Sequence, residues 1–156
     1  MGSRCGQLDP GVVLYLMAEK GMSAPEIETL LYRNSGLRGL SGLSHDMRVL
    51  QNAGTRAADR AIDYYVHRIR RELGGMTALL GGLDALVFCG GIGENAERIR
   101  ERVCQGFRWL GLELNETRNR DGELVISSDR SRVRVFIIRT NEELMIARHA
   151  AATVAA

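Results

Sequence analysis

The feature that most constrains this chain is an apolar run that stops abruptly at glycine. Ala85-Leu86-Val87-Phe88-Cys89 is continuously apolar, and Gly90-Gly91-Ile92-Gly93-Glu94-Asn95 follows at once. An unbroken apolar run of this length suits a strand of a parallel sheet covered on both faces. From Glu94 to Phe107 the spacing turns helical, with Ile99, Val103 and Phe107 inward and Glu97, Glu101, Arg98 and Arg102 outward. Strand and helix are thus joined by a very tight turn, and the chain reads as α/β. Glycine tolerates positive φ and lets backbone approach a ligand where a Cβ would block it. Exposed amides and the positive end of a helix dipole then favour phosphate.

Three readings of the turn stand at this point. It cradles a phosphate. Alternatively, its glycines only let helix and strand pack closely. Or Gly91, Gly93 and Ala96 form a dinucleotide fingerprint, which also asks for an acidic residue about 20 positions on, at the end of a second parallel strand. Glu113 has that spacing but lies between Leu112 and Leu114 in a weak strand pattern. No Gly-Lys-Ser/Thr occurs, so a Walker A loop is absent.

Around this core the chain reads as helix-rich. Asp9 caps a helix with Pro10 at its first position and an apolar face of Val12, Val13, Leu16 and Met17. Ser23 and Glu26 have capping-box spacing ahead of Ile27, Leu30 and Leu31. Ser35 to Ser44, with three glycines, reads as a loop leading into Asp46-Met47-Arg48. Thr55 to Leu73 is the longest helical pattern, with a break or bend at Gly74-Gly75 and a further turn to Leu80. Leu112-Glu113-Leu114 and Leu124-Val125-Ile126 read as short strands, Arg132 to Ile138 as a longer one, and Asn141 to Ala151 as a closing helix. Arg68, Arg70 and Arg71 read as a solvated stripe, Cys89 and Cys104 as core thiols, Trp109 as packing and His149 as exposed. No long linker or repeat divides the sequence, which reads as one structural unit.

Charge narrows the partners. With 21 basic and 19 acidic residues the net charge is +2, which gives no reason to expect nucleic acid. Lys20 is the only lysine, and the arginines are spread along the whole chain. Three widely spaced cysteines without a CxxC pair argue against a zinc site or a disulfide framework and fit a reducing cytoplasm. No apolar run reaches the roughly 20 residues of a membrane span, and the first residues lack a signal-peptide core.

Four segments in series resemble the C-terminal part of the acetate kinase family, in the acetate and sugar kinase/Hsp70/actin superfamily. They are Met1-Gly2-Ser3-Arg4-Cys5-Gly6 with Leu8-Asp9-Pro10-Gly11; Ser35-Gly36-Leu37 through Leu40-Ser41-Gly42-Leu43-Ser44 into Asp46-Met47-Arg48; Gly82 to Asn95; and Thr140 to Arg148. The resemblance implies a partial ribonuclease H-like (actin-like ATPase) fold, helix-rich with few core strands, and transfer of phosphate from ATP to acetate or propionate with magnesium. By the same resemblance Arg4 steadies the phosphoryl group in transfer, where a guanidinium fork suits charge spread over phosphate oxygens. Asp46, Met47 and Arg48 form one nucleotide-contacting segment, and Gly91, Ile92, Gly93, Glu94 and Asn95 a second. Glu142 helps hold magnesium, which keeps much of its water and takes few carboxylates. Homodimerisation through this region is implied too.

Each of these residues also has a plainer role open to it. Arg4 suits a surface position, Asp46 a helix cap, and Glu142 the first turn of a helix, where an acid favours the dipole. Two positions depart from the family pattern: Arg139 stands where proline is usual before Thr140, and Cys89 replaces a common threonine. The family enzyme is far longer, and its N-terminal region supplies a magnesium-binding asparagine, acetate-pocket residues, an aspartate, a histidine and the first strands of the sheet. The present chain is therefore expected to be inactive alone and to expose a sheet edge. Two other readings remain: a non-catalytic nucleotide-binding or dimerisation module, and a dinucleotide-binding oxidoreductase fragment.

Overall fold

A computed structural model describes residues 1–154 of the chain. It is helix-rich, with few strands, as expected. In order the elements are α1 (Pro10–Ala18), α2 (Ala24–Arg33), α3 (Gly36–Ser41), α4 (Met47–Asn52), α5 (Arg56–Leu80), β1 (Ala85–Phe88), α6 (Gly90–Asn95), α7 (Glu97–Gln105), a 3-10 turn (Arg108–Leu110), α8 (Glu116–Asp121), β2 (Arg134–Ile137) and α9 (Glu142–Val154). The chain divides into two compact units, Met1–Arg71 and the part from Glu72 onward, and the boundary falls within α5.

In the first unit the buried apolar residues are Ile27, Leu37, Met47, Leu50, Ala58, Ala61, Ile62 and Val66. Asp9 caps α1 as predicted, accepting the Gly11 amide at 2.7 Å, with Pro10 next in line. The capping box of α2 also forms, with Glu26 accepting both the amide (2.8 Å) and the hydroxyl (2.7 Å) of Ser23. The predicted apolar face of α1 is not buried, however: no residue of that helix is, and Val12, Leu14, Tyr15 and Met17 are exposed. Helical spacing says which side chains share a face, but burial also needs an element facing them.

The glycine-containing stretch from Ser35 is a helix, α3, and not a loop. Gly36 explains the difference. Its φ is +60°, and a Cβ there would lie 2.2 Å from the Met1 carbonyl oxygen and 2.7 Å from that of Arg4. The N-terminal segment is laid against this helix start: Leu37 N–H donates to Met1 O, Arg38 N–H to Gly2 O and Ser35 N–H to Ser3 O. Glycine is needed here for conformation and for close approach at once. The arginine stripe on α5 is not simply solvated either, since Arg68 and Arg71 both donate to the Gln7 side-chain oxygen.

The second unit is built on a two-stranded parallel sheet. Leu86 pairs with Val135 and Phe88 with Ile137, and the Ile138 amide extends the ladder to Phe88 O at 2.9 Å. Residues 89–133, carrying α6, α7 and α8, form the crossover that parallel strands demand. Phe88, Ile99, Val103, Phe107, Ile126, Val135 and Ile137 are buried. The other predicted strands shrink to single antiparallel bridges, Leu114 with Ser127 and Val125 with Phe136.

Four expectations fail in this unit. First, β1 is covered on one face only, since Val87 is 46% exposed. Second, Cys89 is exposed while Cys104 is buried, because the strand ends at Phe88 and Cys89 leaves the sheet as the N-cap of α6. Third, Trp109 is 71% exposed, touching Phe107 by its ring and donating to Gly106 O by its indole N–H. Fourth, the break considered at Gly74 and Gly75 is absent, and α5 runs through both. Each interior glycine costs about 1 kcal/mol relative to alanine but does not remove the hydrogen bond that proline would. The Thr77 hydroxyl additionally donates to Leu73 O across the pair at 2.8 Å.

Candidate functional site

The glycine turn is itself a short helix. After Cys89, α6 takes up Gly90–Asn95, breaks at Ala96 and gives way to α7. Only Gly90 among its glycines has positive φ, at 69°. Gly93 lies against the strand, its missing Cβ 3.4–3.6 Å from Phe88 atoms, which bears out the close-packing reading for that one residue. Gly91 is different. Its φ is not positive, and no atom lies within 4 Å of where its Cβ would be. Nothing inside this chain requires glycine at that position.

Two side chains fix the ends of α6. At its start, Glu94 Oε1 accepts the Gly90 amide (2.9 Å), the Thr140 amide (3.0 Å) and the Thr140 hydroxyl (3.2 Å). Those bonds, the Thr140 amide foremost, hold the Glu94 carboxyl below the usual range, with Arg139 adding to the effect. At its end stands Arg100, 2% exposed. Its Nη1 donates to the carbonyls of Gly93 (3.0 Å) and Glu94 (2.9 Å), its Nε to Asn119 Oδ1 (2.7 Å) and its Nη2 to Asn119 O (2.6 Å). The last carbonyls of a helix have no partner within it, and a cation is favoured there. Burial lowers the Arg100 pKa, but a guanidinium stays charged. Asn119, on α8, is buried and bonds Glu97 O through Nδ2 (3.2 Å), so α6, α7 and α8 are joined at one point.

Arg100 sits between the outward-facing Arg98 and Arg102, and the helical pattern alone gives it no role. The signal was present. Cys104 reads as a core thiol, and Arg100, four residues earlier on the same helix, shares its face.

Glu142 is the first residue of α9 and is exposed, its carboxylate making no hydrogen bond or ion pair among the described residues. It follows Thr140 by two positions, and Asn141 between them caps α9 by accepting the Leu144 amide at 2.9 Å. No cluster of three or more histidine, cysteine, aspartate or glutamate side chains able to hold a metal exists among the described residues. A single carboxylate fits magnesium held largely by phosphate and water.

In the first unit, Asp46 is the N-cap of α4 and accepts the Arg48 amide at 2.9 Å. It also pairs with the Arg48 side chain, Nη2 to Oδ2 at 2.6 Å and Nε to Oδ1 at 3.2 Å. These bonds lower the Asp46 pKa to about 2. Met47 is buried, while Arg48 is the exposed member of the three. Arg4 is exposed, its guanidinium 5.5 Å from the centre of the Tyr32 ring, a cation–π contact. The segment beneath it is not frayed, since Cys5 N–H donates to Leu31 O and the Ser3 hydroxyl to Tyr32 O.

The Acetokinase family profile matches residues 1–148. This chain belongs to the acetokinase family. It is 66% identical over 149 residues to the acetate kinase of Methylocella silvestris, covering 96% of this chain and 37% of that one. The crystal structure of Porphyromonas gingivalis acetate kinase superimposes with a TM-score of 0.89 at 38% identity, covering 99% of this chain and 40% of that one. A propionate kinase from Francisella tularensis superimposes with a TM-score of 0.87 at 38% identity, covering 94% of this chain and 38% of that one. The chain therefore spans about two fifths of the length of the relatives it matches. Its fold is a partial actin-like ATPase fold of the ribonuclease H-like kind.

The dinucleotide reading falls. It needed Glu113 to end a strand parallel to β1 and beside it. The parallel partner of β1 is β2, and Leu114, next to Glu113, forms only an antiparallel bridge to Ser127. No helix of the described residues is long and apolar enough to cross a membrane.

Proposed function

We propose that this chain supplies the nucleotide-binding part of an acetate kinase-type phosphotransferase site, for the reversible reaction of ATP and acetate to ADP and acetyl phosphate. The observation that carries this reading is the family match over residues 1–148, which includes every residue assigned a role, from Arg4 to Glu142. The open space at Gly91 is compatible with it, since backbone without a Cβ there leaves room for a phosphate to approach. Gly91, Ile92 and Asn95 line the phosphate side of this turn, with Gly93 and Glu94 setting its shape. Asp46 holds Arg48 ready for the nucleotide, and buried Met47 anchors the segment between them. Arg4 meets the charge of the phosphoryl group in transfer.

Glu142 is the magnesium ligand contributed by this chain. When bound, the ion neutralises phosphate charge and orients the transferring group. The acyl substrate is acetate or propionate. The active assembly is a homodimer, and the compartment is the cytoplasm, in keeping with three free cysteines. We regard the chain as the C-terminal portion of a nucleotide-binding domain whose remaining contacts come from outside these residues.

Isothermal calorimetry with ADP and magnesium, alongside an acetyl phosphate assay in both directions, tests this reading. Measurable heat of binding without turnover is the expected result. Absence of both heat and a thermal shift contradicts a nucleotide site. Robust turnover by the 156-residue chain contradicts the partial-site reading.

A second reading, a non-catalytic module for nucleotide binding or self-association, is favoured by α1, whose exposed Val12, Leu14 and Met17 lack cover in this chain. Sedimentation separates the two: a dimer without ADP binding supports the second alone.

A further inference from the structure

We propose that Glu94 is a positioning residue that couples the glycine turn to the segment bearing Glu142, so that nucleotide and magnesium bind cooperatively. This rests on the nucleotide reading above. It departs from that reading in taking Glu94 away from direct contact with the ligand.

The argument begins with charge. A carboxylate beside a phosphate cradle repels the phosphate unless its own charge is engaged elsewhere. Glu94 is so engaged. One oxygen, Oε1, receives three donors: the Gly90 amide at 2.9 Å, the Thr140 amide at 3.0 Å and the Thr140 hydroxyl at 3.2 Å. The residues joined are 46 positions apart at Glu94 and Thr140, so this is a tertiary bond and not a local cap.

Its two ends are the two places that matter. Gly90 opens α6 and is held there at φ 69°. Thr140 is separated from Glu142 only by Asn141, whose side chain caps α9. At the far end of α6, Arg100 fixes the Gly93 and Glu94 carbonyls. The turn is thus clamped at its end by Arg100 and at its start by Glu94, and only the Glu94 clamp reaches the Glu142 segment. A displacement of Glu142 toward a metal ion is passed to the Gly90 amide through a single carboxylate. This is a contiguous chain of bonds of the kind that carries coupling between neighbouring sites. Arg139 does not interrupt it, because the donors belong to Thr140.

The test is calorimetry of ADP binding to the whole chain, with and without magnesium, read as the ratio of the two Kd values. We expect wild type to bind ADP about tenfold more tightly with magnesium, a common size for coupling between two sites. Glu142→Gln brings the ratio close to one. Glu94→Ala does the same, weakening ADP binding more with magnesium than without it, and the ratio of the double variant matches that of Glu142→Gln alone. Glu94→Gln keeps most of the ratio, because an amide oxygen accepts from the same donors. Thr140→Val, which removes one donor of three, gives an intermediate ratio and serves if Glu94→Ala fails to fold.

Equal weakening by Glu94→Ala with and without magnesium means a merely structural or a direct contact role, and overturns the proposal. So does an unchanged ratio, or a wild-type ratio of one. A wild-type chain that binds no ADP at all removes the nucleotide reading, and this inference with it. Wild-type coupling that survives Glu94→Ala removes the inference alone.

Discussion

The two segments assigned to the nucleotide are held in opposite ways. Asp46 and Arg48 are tied to each other, two residues apart and largely in solvent, by a helix cap and an ion pair. The glycine turn is tied to distant chain: to Asn119 through buried Arg100, and to Thr140 through Glu94. The first arrangement is cheap to make and cheap to lose. The second depends on the packing of α7, α8 and the end of β2, and fails if any of them moves. A cradle whose amides must face a phosphate without reorganisation needs the second kind of support. An arginine that reaches out to a ligand needs only the first.

The contrast is broken most severely at Arg100. Arg100→Leu should strip partners from two carbonyls and from buried Asn119, at a cost of about 3–5 kcal/mol. Thermal unfolding should fall by roughly 10 °C or more. Arg100→Lys should recover little of this, because one ammonium cannot replace a planar fork. A fall under about 2 °C for Arg100→Leu contradicts the clamp.

Gly36→Ala is expected to rank next. A Cβ 2.2 Å from the Met1 carbonyl oxygen, at φ +60°, should destabilise the first unit by about 2–4 kcal/mol and loosen the segment bearing Arg4. Gly42→Ala provides the control: φ is +65° there too, but nothing lies within 4 Å, so the cost should stay near 1 kcal/mol. Equal costs in chemical denaturation show that close approach plays no part.

Smaller effects sharpen the other side. Asp46→Asn keeps a good helix cap and removes only the charge. The Asp46 pKa is depressed from 3.8 to about 2, so its charge stabilises the fold above the unfolded value. That contribution is lost as pH falls through the folded value. Wild type should therefore exceed Asp46→Asn slightly at pH 7, and the two should converge between about pH 4 and pH 2. A gap that persists below pH 2 excludes the ion pair as its source. Smallest of all, Cys89→Ser on the exposed N-cap should stay within about 0.5 kcal/mol of wild type in the same unfolding assay.

What the sequence made legible follows the same division. Local devices read correctly: the Asp9 cap, the capping box of Ser23 and Glu26, the cap at Asp46, and the inward row Ile99, Val103 and Phe107. These depend on residues within one or two helical turns. Most of the misreadings turned on what distant chain does or does not supply. The region from Ser35 looked like a loop because the backbone that Gly36 accommodates lies more than 30 residues earlier. The buried state of Arg100 is decided by Asn119, and the exposure of α1, Val87 and Trp109 by the lack of an element facing them. At the site, the sequence pattern located the turn, while its division into one positive-φ glycine, one packing glycine and one glycine with open space came only from coordinates.

That open glycine is where the account is most directly tested. Gly91→Ala places a methyl group where this chain has nothing, in a helical backbone that accepts it. Stability should be unchanged or raised by up to about 1 kcal/mol. If the turn cradles nucleotide phosphate, calorimetric affinity for ADP with magnesium should nonetheless fall tenfold or more. A Gly91→Ala chain that is equally stable and binds ADP as tightly as wild type would contradict the cradle.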